Sequence, residues 1–164
     1  MKHGTSEEEM RSFYDRWEAT VFTFSKLYLG DEACADAATG QAFLAYFESG
    51  APLVEQRLPV ALIRYVLHAA QQWIVVREGG PDATFEEMIL ALPDNERAVF
   101  LLHSALGVEF PRISAFNAMT CEEERRVWVN SLLHLQRQLR NDRASSLGYV
   151  CSAAMAQQAG TAQC

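Results

Sequence analysis

Apolar residues recur at intervals of three and four along most of this chain, the period of helices with one buried face. Ser6-Glu7-Glu8-Glu9 reads as a capping box, in which hydroxyl and carboxylate each satisfy a backbone N–H left open at a helix start. Behind it the stripe Phe13, Trp17, Val21, Phe24, Tyr28 predicts a first helix that stops at Gly30. Asp31 is placed to cap a second helix, running to about Phe47 and burying Ala35, Phe43 and Phe47. Ser49-Gly50-Ala51-Pro52 breaks the pattern. Pro59 suits the first turn of a third helix, whose stripe is Leu62, Val66, Ala69, Trp73 and Val76, with Ile63, Leu67, Ala70 and Ile74 beside it. So wide an apolar surface predicts a central helix with Trp73 in the core. Its polar strip is narrow: Arg64, His68 and Gln71.

Glu78-Gly79-Gly80-Pro81-Asp82 is the strongest break and predicts a linker at 79–83 between two small helical modules, 6–78 and 84–143. Thr84-Phe85-Glu86-Glu87 is a second capping box. Leu92-Pro93-Asp94-Asn95 ends that short helix and starts one carrying Val99, Phe100, Leu102 and Leu106, closed by Gly107. A short helix near Pro111 to Asn117 follows, then a long final helix capped at Thr120. Trp128, Leu132, Leu135 and Leu139 predict its buried stripe, leaving Glu122, Glu123, Arg126, Asn130, Arg137 and Arg140 outward. After Arg143 the composition turns to Ala, Ser and Gln, which predicts a flexible tail over 144–164. The expected fold class is all-α, with a helix-turn-helix in the second module.

Composition narrows the function. Hydrophobic residues are 49% of the 164, enough for a folded core. No apolar run approaches the roughly 18 residues needed to cross a bilayer. Met1 to Glu9 carries no apolar stretch of a secretory signal, so a cytoplasmic protein is expected, with no membrane partner. Cys34, Cys121, Cys151 and Cys164 are scattered, and His3, His68, His103 and His134 share no ligand spacing with them. Neither a disulfide framework nor a metal site is expected. No nucleophile elbow or phosphate loop appears, so an enzyme is not expected, nor a cofactor or small-molecule substrate. The 14 basic and 21 acidic residues leave a net charge of −7, shared by both halves of the chain. Such a protein gains little from counterion release at phosphates, so its own affinity for DNA should be weak.

The run Gly30 to Phe47 resembles a signature of the extracytoplasmic-function type of bacterial sigma factor, in the sigma-70 family. In that family a helix reading Ala-Glu-Asp-x-x-Gln-Glu-x-Phe docks on the clamp helices of RNA polymerase. Here Ala35-Asp36-Ala37-Ala38-Thr39-Gly40-Gln41-Ala42-Phe43 stands in its place. Ala35 and Phe43 match and Asp36 keeps an acid; Ala37 replaces the next acid, and the Gln-Glu pair reads Gly40-Gln41. The resemblance implies polymerase contact through Asp36, Gln41 and Phe43. It also implies that the next helix reads the upstream promoter element through Arg64, His68, Gln71 and Arg77.

The second module is similar to the family's other DNA-binding module, of the winged-helix-like sigma type. Leu92-Pro93, Arg97-Ala98-Val99-Phe100-Leu101-Leu102 and Gly107-Val108-Glu109-Phe110 follow its Leu-Pro, Arg-Ala-Val-Leu-Leu and Gly-Leu-Ser-Tyr pattern. Ile113 falls at the Ile of the first reader helix. The recognition helix departs most, opening Thr120-Cys121-Glu122-Glu123-Glu124-Arg125-Arg126. The resemblance implies DNA contact through Arg125, Arg126, Asn130 and Arg137, restrained by the three glutamates. The function it implies is that of a protein that binds RNA polymerase core and directs it to promoter DNA, under a possible anti-sigma protein. The alternative is a degenerate sigma-like adaptor or decoy, which binds polymerase or an anti-sigma factor without reading DNA.

Overall fold

The computed structural model describes residues 6–53, 57–73 and 83–159. Every regular element among them is helical, as the periodicity predicts. Helix α1 spans Glu7–Leu29. Ser6 Oγ accepts from the Glu9 N–H at 3.2 Å, and Glu9 Oε2 accepts from the Ser6 N–H at 2.8 Å, completing the expected box. Gly30 ends the helix with φ +70°, in the left-handed region. A Cβ there would lie 2.4 Å from Leu90 Cδ1, so glycine also admits the close approach of the fourth helix.

Helix α2 spans Glu32–Glu48, with Asp31 Oδ1 accepting from the Cys34 N–H at 2.8 Å. Small residues let it sit tightly on α1: Ala35, Ala38 and Ala42 are buried. Between the helices the Thr39 hydroxyl donates to Ser25 Oγ at 3.1 Å, which satisfies two buried polar groups. Phe13 stacks on Tyr46 at 5.2 Å and meets Phe43 edge-on at 6.2 Å. Phe47, expected in the core, is half-buried at its rim.

Helix α3, Val60–Ala70, starts directly after Pro59 and buries Leu62, Ile63 and Val66. It gives way to a turn at 71–73, where Trp73 is half-buried against the core. Ile74, Val76 and Arg77 lie outside the described residues, as does the expected linker apart from Ala83.

Thr84 and Glu87 form the second capping box, opening the one-and-a-half-turn helix α4, Phe85–Leu90. Helix α5, Asp94–Phe100, continues into a π turn over Leu101–Ala105. The wider turn lets Leu101 and Leu102 both face the core. Gly107, at φ +64°, reverses the chain, and the Val108 N–H returns to the Leu102 carbonyl at 2.9 Å. Helix α6 spans Phe110–Asn117, with Pro111 in its first turn.

Helix α7 spans Cys121–Ala159. The segment expected as a flexible tail from 144 is therefore helical through Ala159. Ala, Gln and Met are good helix formers, and Gly148 is the one breaker between Asn141 and Ala159. The buried stripe also differs from expectation. Glu124, Ser131 and Leu135 face inward, whereas Leu132 and Leu139 are 39% and 48% exposed. Each of the polar side chains on the inner face has at least one hydrogen-bond partner, although Glu124 Oε2 is buried without one. Asn117 Nδ2 donates to Glu124 Oε1 at 2.8 Å, Ser131 Oγ donates to the Trp128 carbonyl at 2.6 Å, and His134 Nδ1 lies 2.5 Å from Glu96 Oε2.

Residues from both sides of the expected linker share one hydrophobic core, from Phe13 to Leu135. Polar ties reinforce it. Arg97, only 1% exposed, donates to the carbonyls of Tyr28 at 2.8 Å, Leu90 at 2.6 Å and Leu92 at 3.1 Å. It thereby satisfies orphan carbonyls at the ends of α1 and α4 together. Arg112 donates to the Leu58 carbonyl at 2.7 Å.

Candidate functional site

Two surfaces gather the residues singled out from the sequence. The first is a groove of about 540 Å³ between α2 and α3, lined by Gln41, Ala45, Tyr65, His68, Gln71 and Gln72 among others. It brings Gln41, expected to face polymerase, next to His68 and Gln71, expected to face DNA. Gln72 Nε2 donates to Gln41 Oε1 at 3.3 Å across it. Arg64 is exposed on α3 but does not line the groove, and Arg77 lies outside the described residues. Asp36 is exposed on α2. The Tyr14 hydroxyl is pushed above its ordinary range by burial first, then by Glu18, Asp36 and Asp15, which marks an acidic patch around Asp36. Phe43 is not available to a partner. It is 2% exposed, with Tyr14 lying over it at 4.7 Å. An aromatic at this position builds the core and only positions the exposed residues of α2.

The second surface is the outer face of α7 at the turn after α6. Ala118, with φ +54°, makes the turn. Thr120 caps α7: its Oγ1 accepts from the Glu123 N–H at 3.2 Å, and Glu123 Oε2 accepts from the Thr120 N–H at 2.7 Å. That backbone bond holds the Glu123 carboxyl below the usual range. Arg125, Arg126, Asn130 and Arg137 are all exposed. A groove of about 440 Å³ runs between Cys121, Glu122, Arg125, Arg126, Val129 and Asn130.

The three glutamates are not a free anionic run. Glu122 pairs with Arg126 at 2.7 Å. Glu123 belongs to the cap, and Glu124 is fully buried beneath Asn117. The expected repulsion of phosphate by all three therefore reduces to Glu122 and Glu123 at the surface.

Sequence reasoning missed an aromatic cluster behind this face. His103 stacks on Phe110 at 4.1 Å and meets Trp128 edge-on at 5.2 Å. Trp128 Nε1 donates to Ser104 Oγ at 2.9 Å, and the Arg125 guanidinium lies 5.7 Å from the Phe110 ring centre. These contacts fix where Arg125 leaves the helix. The members are far apart in sequence, and no local spacing announces them. Among the described residues no group of three or more His, Cys, Asp or Glu is arranged to hold a metal ion, and no helix is long and apolar enough to cross a membrane. Comparison with protein-family models, with curated proteins and with solved structures finds no match.

Proposed function

We propose that the chain is a sigma-type transcription initiation protein, binding RNA polymerase core and directing it to promoter DNA. One observation supports the reading: α6 and α7 are joined by a short turn, and α7 exposes Arg125, Arg126 and Asn130 near its N-terminal end, as the second helix of a helix-turn-helix would. Readers of this kind address DNA with that end of that helix. The family resemblance supplies the partner, with Asp36 and Gln41 turned toward polymerase. With a net charge of −7 the free protein holds DNA weakly. Tethering to polymerase raises the effective concentration enough for a few contacts to suffice.

The test is co-purification with core polymerase, followed by transcription from promoters selected with the purified complex. Asp36→Arg is expected to abolish co-purification. Joint replacement of Arg125 and Arg126 by Ala is expected to leave co-purification intact and cut transcription. Wild-type protein that fails to co-purify sinks the proposal.

A second reading is favoured by the Arg126–Glu122 pair, which engages one of the two leading arginines, and by the leucines exposed on the same helix. Under it the chain is an adaptor that binds polymerase or an anti-sigma protein without reading DNA. Co-purification with transcription indifferent to the arginine substitutions would select that reading.

A further inference from the structure

Helix α7 carries large apolar side chains exposed to solvent. Its inner face rests on α4, α5 and α6. On its outer line Val129 and Leu133 are 41% and 43% exposed, while Leu132 and Leu139, 39% and 48% exposed, lie about 100° and 80° round from Ser131 on one flank. At about 100° per residue, Val129 and Leu133 lie opposite the buried Ser131 between them. Large apolar side chains left exposed side by side on a helix mark an interaction surface.

We infer that this outer face pairs with the same face of a second copy of the chain, the two α7 helices running antiparallel about the level of Ser131. Charge placement selects this occupant and this direction. Glu122 and Arg140 both lie nine residues from Ser131, one on each side. Eighteen residues are five helical turns of about 3.6, so both charges sit on the line of the apolar strip. Antiparallel pairing sets Val129 against Leu133 of the second copy, and Glu122 against its Arg140, at both ends. Parallel pairing in register would set Arg140 against Arg140 and Glu122 against Glu122. From Glu122 to Arg140 the strip is only about 27 Å long. The interface is therefore small, short of what a permanent dimer needs, and a weak, concentration-dependent dimer is expected.

The proposal does not depend on what the chain binds otherwise. It has a consequence for DNA reading, because Arg125, Arg126 and Asn130 flank the same strip and are covered in the pair. Self-association and DNA contact then exclude one another.

The test is sedimentation equilibrium of the full chain from about 1 to 300 μM, a range that brackets micromolar affinity. The wild-type protein is expected to pass from monomer to dimer across it. Leu133→Asp is expected to weaken the dimer at least tenfold while leaving the helical circular dichroism unchanged, since the side chain faces solvent in the monomer. Glu122→Arg alone and Arg140→Glu alone are each expected to weaken it severalfold, and the two together to restore it. Monomer throughout overturns the proposal and leaves the strip to a different protein. A dimer indifferent to Leu133→Asp places the contact elsewhere and also overturns it. Single charge reversals that have no effect, or a double that does not recover, refute the antiparallel register.

Discussion

Arg97→Met is the sharpest test of how this fold is held together. The substitution keeps most of the side-chain length, so little cavity forms, but it removes three donors aimed at the carbonyls of Tyr28, Leu90 and Leu92. Hydrogen bonds to a charged group contribute about 1.5–3 kcal/mol each. The burial that strengthens them also penalises the guanidinium and lowers its proton affinity, an effect that Asp94 partly opposes. Asp94 itself stands 3.8 Å away and is half exposed, so it offsets little of that penalty. Removing one side of a buried charged network while the other side stays buried leaves a net loss of about 3–5 kcal/mol. For a chain of this length that corresponds to a fall in melting temperature of roughly 10 °C. Urea unfolding followed by circular dichroism and tryptophan fluorescence measures it. Arg97→Lys is the control: it keeps the charge but cannot span three carbonyls, so it is expected to fall between wild type and Met. An Arg97→Met variant within about 1 kcal/mol of wild type would refute the reasoning, because it would mean that these carbonyls are satisfied without the guanidinium.

Other outcomes follow from single contacts. The Tyr28 hydroxyl is pushed up to about 12, chiefly by burial, with Asp94 adding and Arg97 opposing. A raised value favours the neutral form in the folded state, so its stabilisation is full below the ordinary tyrosine range near 10 and is lost as pH rises toward 12. Tyr28→Phe is expected to flatten stability over that window, and a profile unchanged by the substitution would contradict the assignment. Glu122→Gln releases Arg126 for phosphate. It is expected to raise affinity for duplex DNA and to steepen the log–log salt slope by up to about 0.9 for the one added contact. Equal affinity and slope in titrations at two salt concentrations would show that Arg126 never reaches the backbone.

Wherever a helix end or an inner face was written in ordinary chemistry, the sequence made it legible. Capping boxes at Ser6 and Thr84, the glycine stop at Gly30 and the stripe Phe13-Val21-Phe24-Tyr28 stand as read, while Trp17 of the same stripe is only half-buried. The misreadings of burial along α7 share one cause. Hydrophobicity predicts burial only when polar residues have no buried partner, and in α7 they have one. Glu124 goes inward because Asn117 waits across the turn, and Leu132 goes outward because that inner face is already filled. The spacing of Asn117 from Glu124 was visible, but nothing in it distinguishes a bonded pair from two surface groups until the turn at Ala118 is known.

The same logic governs the candidate site. Exposure of Arg125, Arg126, Asn130 and Arg137 was readable because charged residues stay outside by default. What each can do depends on neighbours that come from other helices. Arg125 leans over Phe110, which His103 stacks against, while Arg126 is drawn along the helix to Glu122. Two adjacent arginines that look equivalent in sequence are therefore unequal in the fold. Arg125 is held by an aromatic ring whose attraction survives moderate salt, and Arg126 by an exposed ion pair that salt screens. Under the proposed DNA-reading role, such a face offers its second arginine most readily when a competing polyanion displaces Glu122. On that proposal Arg125 is expected to make the first contact with DNA, and a contact by Arg126 depends on its release from Glu122.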